Sequence, residues 1–355
     1  MSNRRSAPAS GASSPGGAAA LAGPLGIPMT TAIWIGLAIL YVVWGSTYLG
    51  IKIAVESIPP LLMASARFLV SGAILFIVTI RSGDAANDRP GLKEWRDSAV
   101  VGGLLLLGGM GLVAVGEQSV PSSIAALLIA TLPLWVAVLG RIFFKDVLTP
   151  PIAIGVGIGL AGVAVLVAPT PGGLEFQPLH LAALIVSPIS WAVGSLYSRR
   201  AHLPKRPLVA TGMQMLTGGV LLLVASAITG ELGTFHVASV TVNSLLGLLY
   251  LITIGSLVGF TTYGWLLRVA PISTVTTYAY VNPVVAMILG FAILGEPITV
   301  RTLIGGAVIV AAVVLIVTAR GRAARRNAPA AVTRSGAAAA HDEPPLPGPN
   351  EKPTP

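Results

Sequence analysis

The side chains of this sequence that could do chemistry are polar and aromatic groups set along apolar segments. Residues 41–53 read YVVWGSTYLGIKI, and a related segment, WAVGSLYS, begins at Trp191. Trp44 and Tyr48 are four residues apart, as are Trp191 and Ser195, so each pair shares one face of a helix. Such a face could bind a small solute through hydrogen bonds and ring contacts. It could equally satisfy its hydroxyls against a neighbouring helix, and the sequence is compatible with both.

Two prolines, Pro133 and Pro283, lie deep inside apolar segments. Each comes twelve residues after the proline that opens its segment, or about 18 Å at 1.5 Å per residue. A proline at that depth removes a backbone hydrogen bond and predicts a helix kink near the bilayer centre. The kink could serve packing alone or ligand binding. The polar and aromatic residues beside these prolines are Thr131, Trp135, Tyr278, Tyr280 and Asn282.

Arg67 is a charged residue in an otherwise apolar segment. It lies seven residues past Pro60, about 10 Å along the helix. A guanidinium at that depth is costly unless it is paired or hydrated, so a functional role is expected. Glu117 is its predicted partner, because both residues lie toward the same end of adjacent spans. The pair would act as a gate, or as a structural ion pair that closes one side.

Several other chemistries lack the residues they need. The sequence has no cysteine, which excludes disulfides, thiolate metal sites and cysteine nucleophiles. The histidines at positions 180, 202, 236 and 341 form no metal-ligand spacing such as HExxH. The sequence also contains no GxxxxGK[ST] loop, the motif that binds ATP. We therefore expect neither an enzyme nor a cofactor or metal.

The composition places these residues in a lipid bilayer. The 355 residues are 54% hydrophobic and only 10% charged, with a mean hydropathy of +0.84, whereas soluble domains average roughly 25% charged residues. A net charge of +9 could suggest nucleic acid, but no polar segment of domain size offers a basic face. The expected partners are the bilayer and a small-molecule substrate, with no nucleic acid. The sequence carries no signal for an oligomeric state.

Ten apolar segments have the length of about 20 residues that a bilayer core requires. Lysine and arginine are concentrated in alternate loops, which predicts that both termini are cytoplasmic. Residues 1–30 and 320–355 are rich in Ala, Pro, Gly and Arg and are predicted to be disordered tails. The predicted spans are 32–52, 60–80, 98–116, 121–141, 150–168, 179–198, 208–229, 242–266, 271–294 and 299–319.

The two halves of the chain repeat one another. A shift of 150 residues aligns Pro121 with Pro271, Pro133 with Pro283, Gly140 with Gly290 and Asp146 with Glu296, and a shift of 149 aligns Ser46 with Ser195. Five helices per copy is an odd number, so the copies must be inverted, which is typical of secondary transporters. The predicted fold is an all-α integral membrane protein with ten transmembrane helices, arranged as inverted five-helix repeats at 31–168 and 179–319.

Asp146 and Glu296 end the fourth and ninth predicted helices. A carboxylate at a helix C-terminus opposes the helix dipole. Each acid is therefore expected to have a specific partner, such as a local base. We assign proton coupling to neither.

The sequence resembles the EamA family of the drug/metabolite transporter superfamily. The resemblance rests on WGSTY at 44–48, SPISWAVGSLY at 187–197 and TTYAYVNPVVAMILGFAILGEP at 276–297, and it covers about 32–319. It implies an inverted repeat, cytoplasmic termini and alternating access in a bacterial inner (plasma) membrane. The family is associated with amino-acid and metabolite export, sugar uptake or drug efflux. One departure is that the usual Gly-Glu after the fourth helix is Lys145-Asp146 here.

The predicted function is secondary-active export of small organic metabolites, such as amino acids or related compounds, with drugs as a further class. Import of a nutrient through the same fold is one alternative, and a non-transporting membrane scaffold is another. A scaffold would tolerate loss of Arg67 and Asn282. The predicted substrate-binding residues are Trp44, Ser46, Tyr48, Arg67, Thr131, Trp135, Trp191, Ser195, Tyr278, Tyr280 and Asn282.

Overall fold

The computed structural model describes residues 27–82, 90–168 and 176–327, and over these ranges the chain is helical with no extended strand. Short additional helices occupy Glu231–Thr234, Val237–Ser239 and Ile272–Val275. In chain order, the ten long helical segments α1 to α10 are Met29–Ala54, Pro60–Arg81, Leu92–Gly116, Ser122–Phe144, Pro150–Val167, Pro178–Tyr197, Pro207–Ile228, Val242–Val269, Tyr278–Leu294 and Val300–Asn327.

Within the described ranges, nine of these helices are long and apolar enough to cross a membrane. The other, α9, has 17 residues and follows the short helix at Ile272–Val275. The prediction of an all-α membrane protein built from ten helices is thus confirmed in outline. Proline opens several of the helices, where its missing N–H costs nothing; these prolines are Pro60, Pro150, Pro178 and Pro207.

The predicted tails fall mostly outside the description. Residues 1–26 and 328–355 are not among the described residues. α10 continues to Asn327, beyond residue 319 where its predicted span ended. The added residues are mainly alanine and arginine, which are strong helix formers, so the helix extends past its apolar part.

Equivalent helices of the two repeats pack in a symmetric pattern. α2 lies along α7, and α5 lies along α10. α1 packs on α9, whereas α6, the counterpart of α1, packs on α4, the counterpart of α9. This exchange of partners is what a pseudo-twofold axis between two repeats produces. The helices around that axis therefore bring the WGSTY segment of α1 and the related segment of α6 to the middle of the bundle.

The middle turns of α3 and α8 are π-helical, over Gly103–Gly111 and Leu251–Val258. Turns of this kind are rare and often occur at functional sites. A Cβ added at Gly109 of α3 would lie 2.8 Å from the Trp191 ring, and one at Gly259, just after the π-helical turns of α8, would lie 2.5 Å from Trp44 Nε1. The two glycines, 150 residues apart, therefore make room for one indole each.

The helical segments are interrupted at two places near the predicted kinks, once within α4 and once just before α9. In α4 the helix breaks after Ile129 and restarts at Leu132, so Pro133 is the second residue of the new segment. In α9 the helix runs without a break through Pro283. The kink at Pro283 stays a prediction, because a helix can bend at a proline without a break in its assignment. An interruption lies just before α9, at residues 276–277, where two threonines with β-branched side chains lower the helical preference.

Candidate functional site

A small cavity of about 100 Å³ lies among helices of both repeats. It is bordered by α1, α2, α3, α4, α6, α8 and α9, as expected for a site between two inverted halves. Six of the residues predicted to bind substrate border it, namely Trp44, Tyr48, Arg67, Trp191, Tyr278 and Asn282. Sequence reasoning missed its other lining residues, Thr47, Phe68, Met110, Ile129, Leu132 and Phe260.

Packed aromatic rings form one wall of the cavity. The Trp44 ring lies 4.9 Å from the Tyr278 ring, edge to face, and 5.5 Å from the Phe260 ring. Tyr263 supports it from behind at 5.1 Å. Each such pair adds roughly 0.5–1.5 kcal/mol beyond its buried area, so this wall is held in a fixed shape. It offers a ring-rich surface to the apolar part of a solute.

Arg67 supplies the positive charge of the cavity. Its side chain is only 3% exposed, its Nε donates a hydrogen bond to Ser256 Oγ at 2.9 Å, and its guanidinium lies 4.8 Å from the Phe68 ring centre. Gly255 lies beside it, since a Cβ there would be in ordinary van der Waals contact with the guanidinium at 3.4 Å. Across the described ranges, no carboxylate lies within ion-pair distance of Arg67. The guanidinium therefore borders the cavity without an anionic partner among the residues described.

The predicted ion pair between Arg67 and Glu117 is wrong. Ser256 of α8, rather than Glu117, accepts the hydrogen bond from Arg67 Nε. The π-helical turns of α8 bring Ser256 to α2, and a contact between repeats of this kind cannot be read from spacing along one chain. Glu117 is fully buried at the end of α3, and no described residue gives a hydrogen bond to either of its carboxylate oxygens.

Asn282 adds a polar acceptor to the cavity. The residue is 8% exposed, and its Oδ1 has no hydrogen-bond partner among the residues described. A buried carbonyl oxygen without a donor is costly, and a ligand donor in the cavity would satisfy it. Asn282 and Tyr278 are four residues apart on α9, so both reach the same space.

Five residues predicted to bind substrate do not border the cavity. Ser46 lies two residues from Trp44 and so points to another side of α1, where its Oγ bonds the Tyr250 hydroxyl at 2.5 Å. Thr131 is buried, and its Oγ1 donates to the Leu128 carbonyl at 2.6 Å. The other three predicted residues that do not border the cavity are Trp135, Ser195 and Tyr280.

The carboxylate of Glu296 binds the start of a helix in the other repeat. It accepts hydrogen bonds from the Ser122 and Ser123 backbone N–H groups, at 2.7 and 3.2 Å, and from both serine hydroxyls at 3.1 Å. Gly295 has a φ of 64° and turns the chain so that this carboxylate can reach α4. The partner is thus a helix N-terminus, where an anion is favoured, and not a base. We call this end of the bundle the Glu296 end.

Asp146 lies at the opposite end of the bundle, which we call the Asp146 end. Its carboxylate bonds Arg199 at 3.1 Å, and both side chains are more than two-fifths exposed. The residue before it, Lys145, has a φ of 58°, a conformation that favours glycine. A wide cleft of about 1160 Å³ opens here, and its charged lining residues are Asp146, Arg199, Arg320 and Arg322.

Two further acids join the repeats, and sequence reasoning missed both. Glu231 accepts hydrogen bonds from the Leu61 and Leu62 N–H groups at 3.2 and 2.9 Å and so caps α2. Asp97, only 2% exposed, accepts from the His202 N–H at 2.7 Å. Glu231 serves a helix of the other repeat, and Asp97 binds the loop between α6 and α7, so neither contact could be read from spacing along one helix.

Comparison with known proteins gives a consistent result. The profile of the EamA-like transporter family matches residues 32–168 and 179–318. The chain is 40% identical to the uncharacterized inner membrane transporter YedA of Escherichia coli (strain K12), over 73% of this chain and 82% of that protein. It is 26% identical to a probable amino-acid metabolite efflux pump of Salmonella typhimurium, over 76% of this chain and 89% of that protein.

A solved crystal structure shares the fold. It aligns with a TM-score of 0.57 at 20% sequence identity, over 83% of this chain and 99% of that chain. At this identity the likeness concerns the fold alone.

Proposed function

We propose that this chain, which belongs to the EamA-like transporter family, is a secondary-active exporter of small metabolites that carry a carboxylate, with amino acids as the leading class. The family consists of membrane transporters and not enzymes, so the described cavity is considered as a transport site. The observation that carries the proposal is Arg67, a buried cation on the cavity wall with no carboxylate partner among the described residues.

The cavity offers a complementary group for each part of an amino acid. The guanidinium of Arg67 can donate to a carboxylate in a charge-assisted hydrogen bond. Asn282 Oδ1 can accept from an amine or ammonium group, and the rings of Trp44 and Tyr278 can pack on an apolar side chain. A carboxylate and an amine of the ligand are both favoured here, because Arg67 has no carboxylate partner and Asn282 Oδ1 has no donor among the described residues.

The size of the cavity favours small metabolites over drugs. Pockets for drug-sized ligands usually have volumes of roughly 300–1,000 Å³. The cavity has about 100 Å³, so a drug-sized molecule would require the bundle to open substantially. A small amino acid or related compound would require a much smaller adjustment.

Alternating access would follow from the two repeats. Rocking of one repeat against the other would expose the cavity first to one side and then to the other. We place the Asp146 end in the cytoplasm, with both termini, because basic side chains at that end favour it. They include Arg199, Arg200, Arg320 and Arg322. We place the chain in a bacterial inner membrane, as for the relative of E. coli.

Export is favoured over import by the relative of Salmonella typhimurium, whose name is that of an efflux pump. Import of a nutrient would use the same cavity, and only the direction of net flux separates the two. A non-transporting scaffold would gain nothing from a buried guanidinium that has no carboxylate partner in the described ranges, because such a group costs stability and, inside a membrane protein, indicates a functional site by default.

The test compares metabolites inside and outside cells that express the wild-type chain, Arg67→Ala or Arg81→Ala. Arg81 is the matched control because it is an exposed arginine on the same helix. We expect at least one amino acid to accumulate outside with the wild type and with Arg81→Ala, and not with Arg67→Ala. Full activity of Arg67→Ala in membranes would refute the site, and accumulation inside the cells would establish import.

A further inference from the structure

Glu117 is a buried acid that the proposed transport site does not use. It is 0% exposed, and neither carboxylate oxygen receives a hydrogen bond from the residues the structure describes. The other buried acids of the described ranges differ from it. Glu296 accepts four hydrogen bonds, and Asp97 accepts from Arg96 and His202. Glu117 thus has the burial of these acids without their donors.

The neighbouring cations do not neutralise Glu117 by direct contact. Lys52 of α1 directs its ammonium group to backbone carbonyls, at 2.6 Å from the Glu117 oxygen and 3.3 Å from the Val120 oxygen. Arg67 of α2 is turned to Ser256. A charged carboxylate without donors in such a place is strongly disfavoured, whereas the protonated acid loses much less on burial.

The titratable groups that act on Glu117 come from several elements. Lys52 and Arg67 favour its charged form, and Glu296, across the bundle, disfavours it. Tyr48 of α1 lies close enough to Glu117 for an electrostatic interaction between the two side chains. His180 of α6 is turned to Ser119. Desolvation is the largest of these influences, and it favours the neutral acid.

We infer that Glu117 is a proton-binding site, neutral while the Glu296 end is closed and ionised when that end opens. The geometry provides the switch. Glu117 lies just before Ser122 and Ser123, whose N–H groups are held by Glu296. Release of that contact would separate the second repeat from the start of α4 and admit water beside Glu117. Hydration would then remove the penalty on the charged form, and the proton would leave to the solution at that end.

The site also communicates with the cavity. Arg67 and Tyr48 border the cavity and interact electrostatically with Glu117. An anionic ligand on Arg67 would cancel part of the positive potential that favours ionised Glu117. Proton binding and anion binding should therefore favour each other. This link to a ligand rests on the proposed function, whereas proton binding by Glu117 does not.

Infrared spectroscopy of the purified full-length chain tests the inference without any substrate. A protonated carboxyl has a carbonyl-stretch band that a carboxylate lacks. We expect this band in the wild type at neutral pH, loss of it in Glu117→Gln, and a shifted band in Glu117→Asp. Glu56→Gln is the control, since Glu56 is exposed at the same end, and it should leave the band unchanged. Glu296→Ala should weaken the band, because the closed end is then less populated.

The results separate the two proposals. No such band in the wild type, or the same band in Glu117→Gln, would overturn the proton site, and absence of the band from the wild type does so even if the variants do not fold. An unchanged band in Glu296→Ala would overturn the link to opening. None of these results depends on finding a transported compound, so failure of the transport screen leaves them intact.

Discussion

Replacing Glu296 by alanine should destabilise the protein far more than the same change at Asp146, although the two acids occupy equivalent positions in the repeats. Glu296→Ala removes the acceptor of two backbone N–H groups and two hydroxyls at the start of α4. Those N–H groups belong to a helix N-terminus and have no intrahelical partner. Asp146→Ala removes an ion pair between side chains that are 46% and 41% exposed.

The magnitudes follow from these contacts. A hydrogen bond to a charged group contributes roughly 1.5–3 kcal/mol, and loss of an N-cap costs about 0.5–2 kcal/mol. The four bonds to Glu296 share one carboxylate and are not additive, so the expected loss is about 3 kcal/mol. A surface ion pair is worth about 0–1 kcal/mol, which sets the expected loss for Asp146→Ala. The difference should be about 2 kcal/mol or more.

Unfolding of the purified variants by a denaturing detergent, followed by circular dichroism, would measure this difference. Gln at position 296 provides an intermediate control, because its amide oxygen can still accept from one or two donors. Equal losses of stability for Glu296→Ala and Asp146→Ala would refute the reasoning. The cap that Glu296 forms on α4 would then stabilise the protein no more than the exposed ion pair of Asp146.

Three further changes test other parts of the account. Lys145→Gly should stabilise the protein by about 1 kcal/mol in the same unfolding assay, because Lys145 has a φ of 58° and glycine carries no penalty there; a loss of stability would contradict this. Gly259→Ala should displace the Trp44 ring, since the new Cβ would lie 2.5 Å from Trp44 Nε1, and transport should fall at least tenfold, which a flux assay would measure. Ser256→Ala removes the acceptor of Arg67 Nε and should cost about 1–3 kcal/mol of stability; an unchanged unfolding midpoint would show that this contact is unimportant.

The fold was accessible from the sequence because local physics determines most of it. The length of the apolar segments follows from the thickness of the bilayer, and prolines such as Pro60 and Pro207 mark helix starts. The repeat was visible because glycine, serine and proline residues of the two halves align at a nearly constant shift along the chain. Where a helix is interrupted is harder to read from the sequence: α9 continues through Pro283, because one proline need not disrupt a helix that its neighbours hold in place.

The site was only partly accessible, and the reason is geometric. Trp44 and Tyr48, four residues apart, lie on one helix face and reach the same cavity, as the helical period predicts, whereas Ser195, four residues after Trp191, does not border it. Contacts between repeats have no such rule. The bond from Arg67 to Ser256 depends on the π-helical turns of α8, and the contact of Glu296 with Ser122 joins distant parts of the chain. Neither is encoded in local spacing.

The measurement that tests the central claim most directly is counterflow of labelled amino acids into proteoliposomes that contain the purified chain. Each amino acid would be paired with the amine that lacks its carboxylate, and wild type would be compared with Arg67→Ala and Arg81→Ala. The account predicts exchange of at least one amino acid, none of the matching amine, and loss of exchange in Arg67→Ala alone. Equal exchange of amine and amino acid, or an unaffected Arg67→Ala variant, would contradict the assignment of Arg67 as the carboxylate-binding residue.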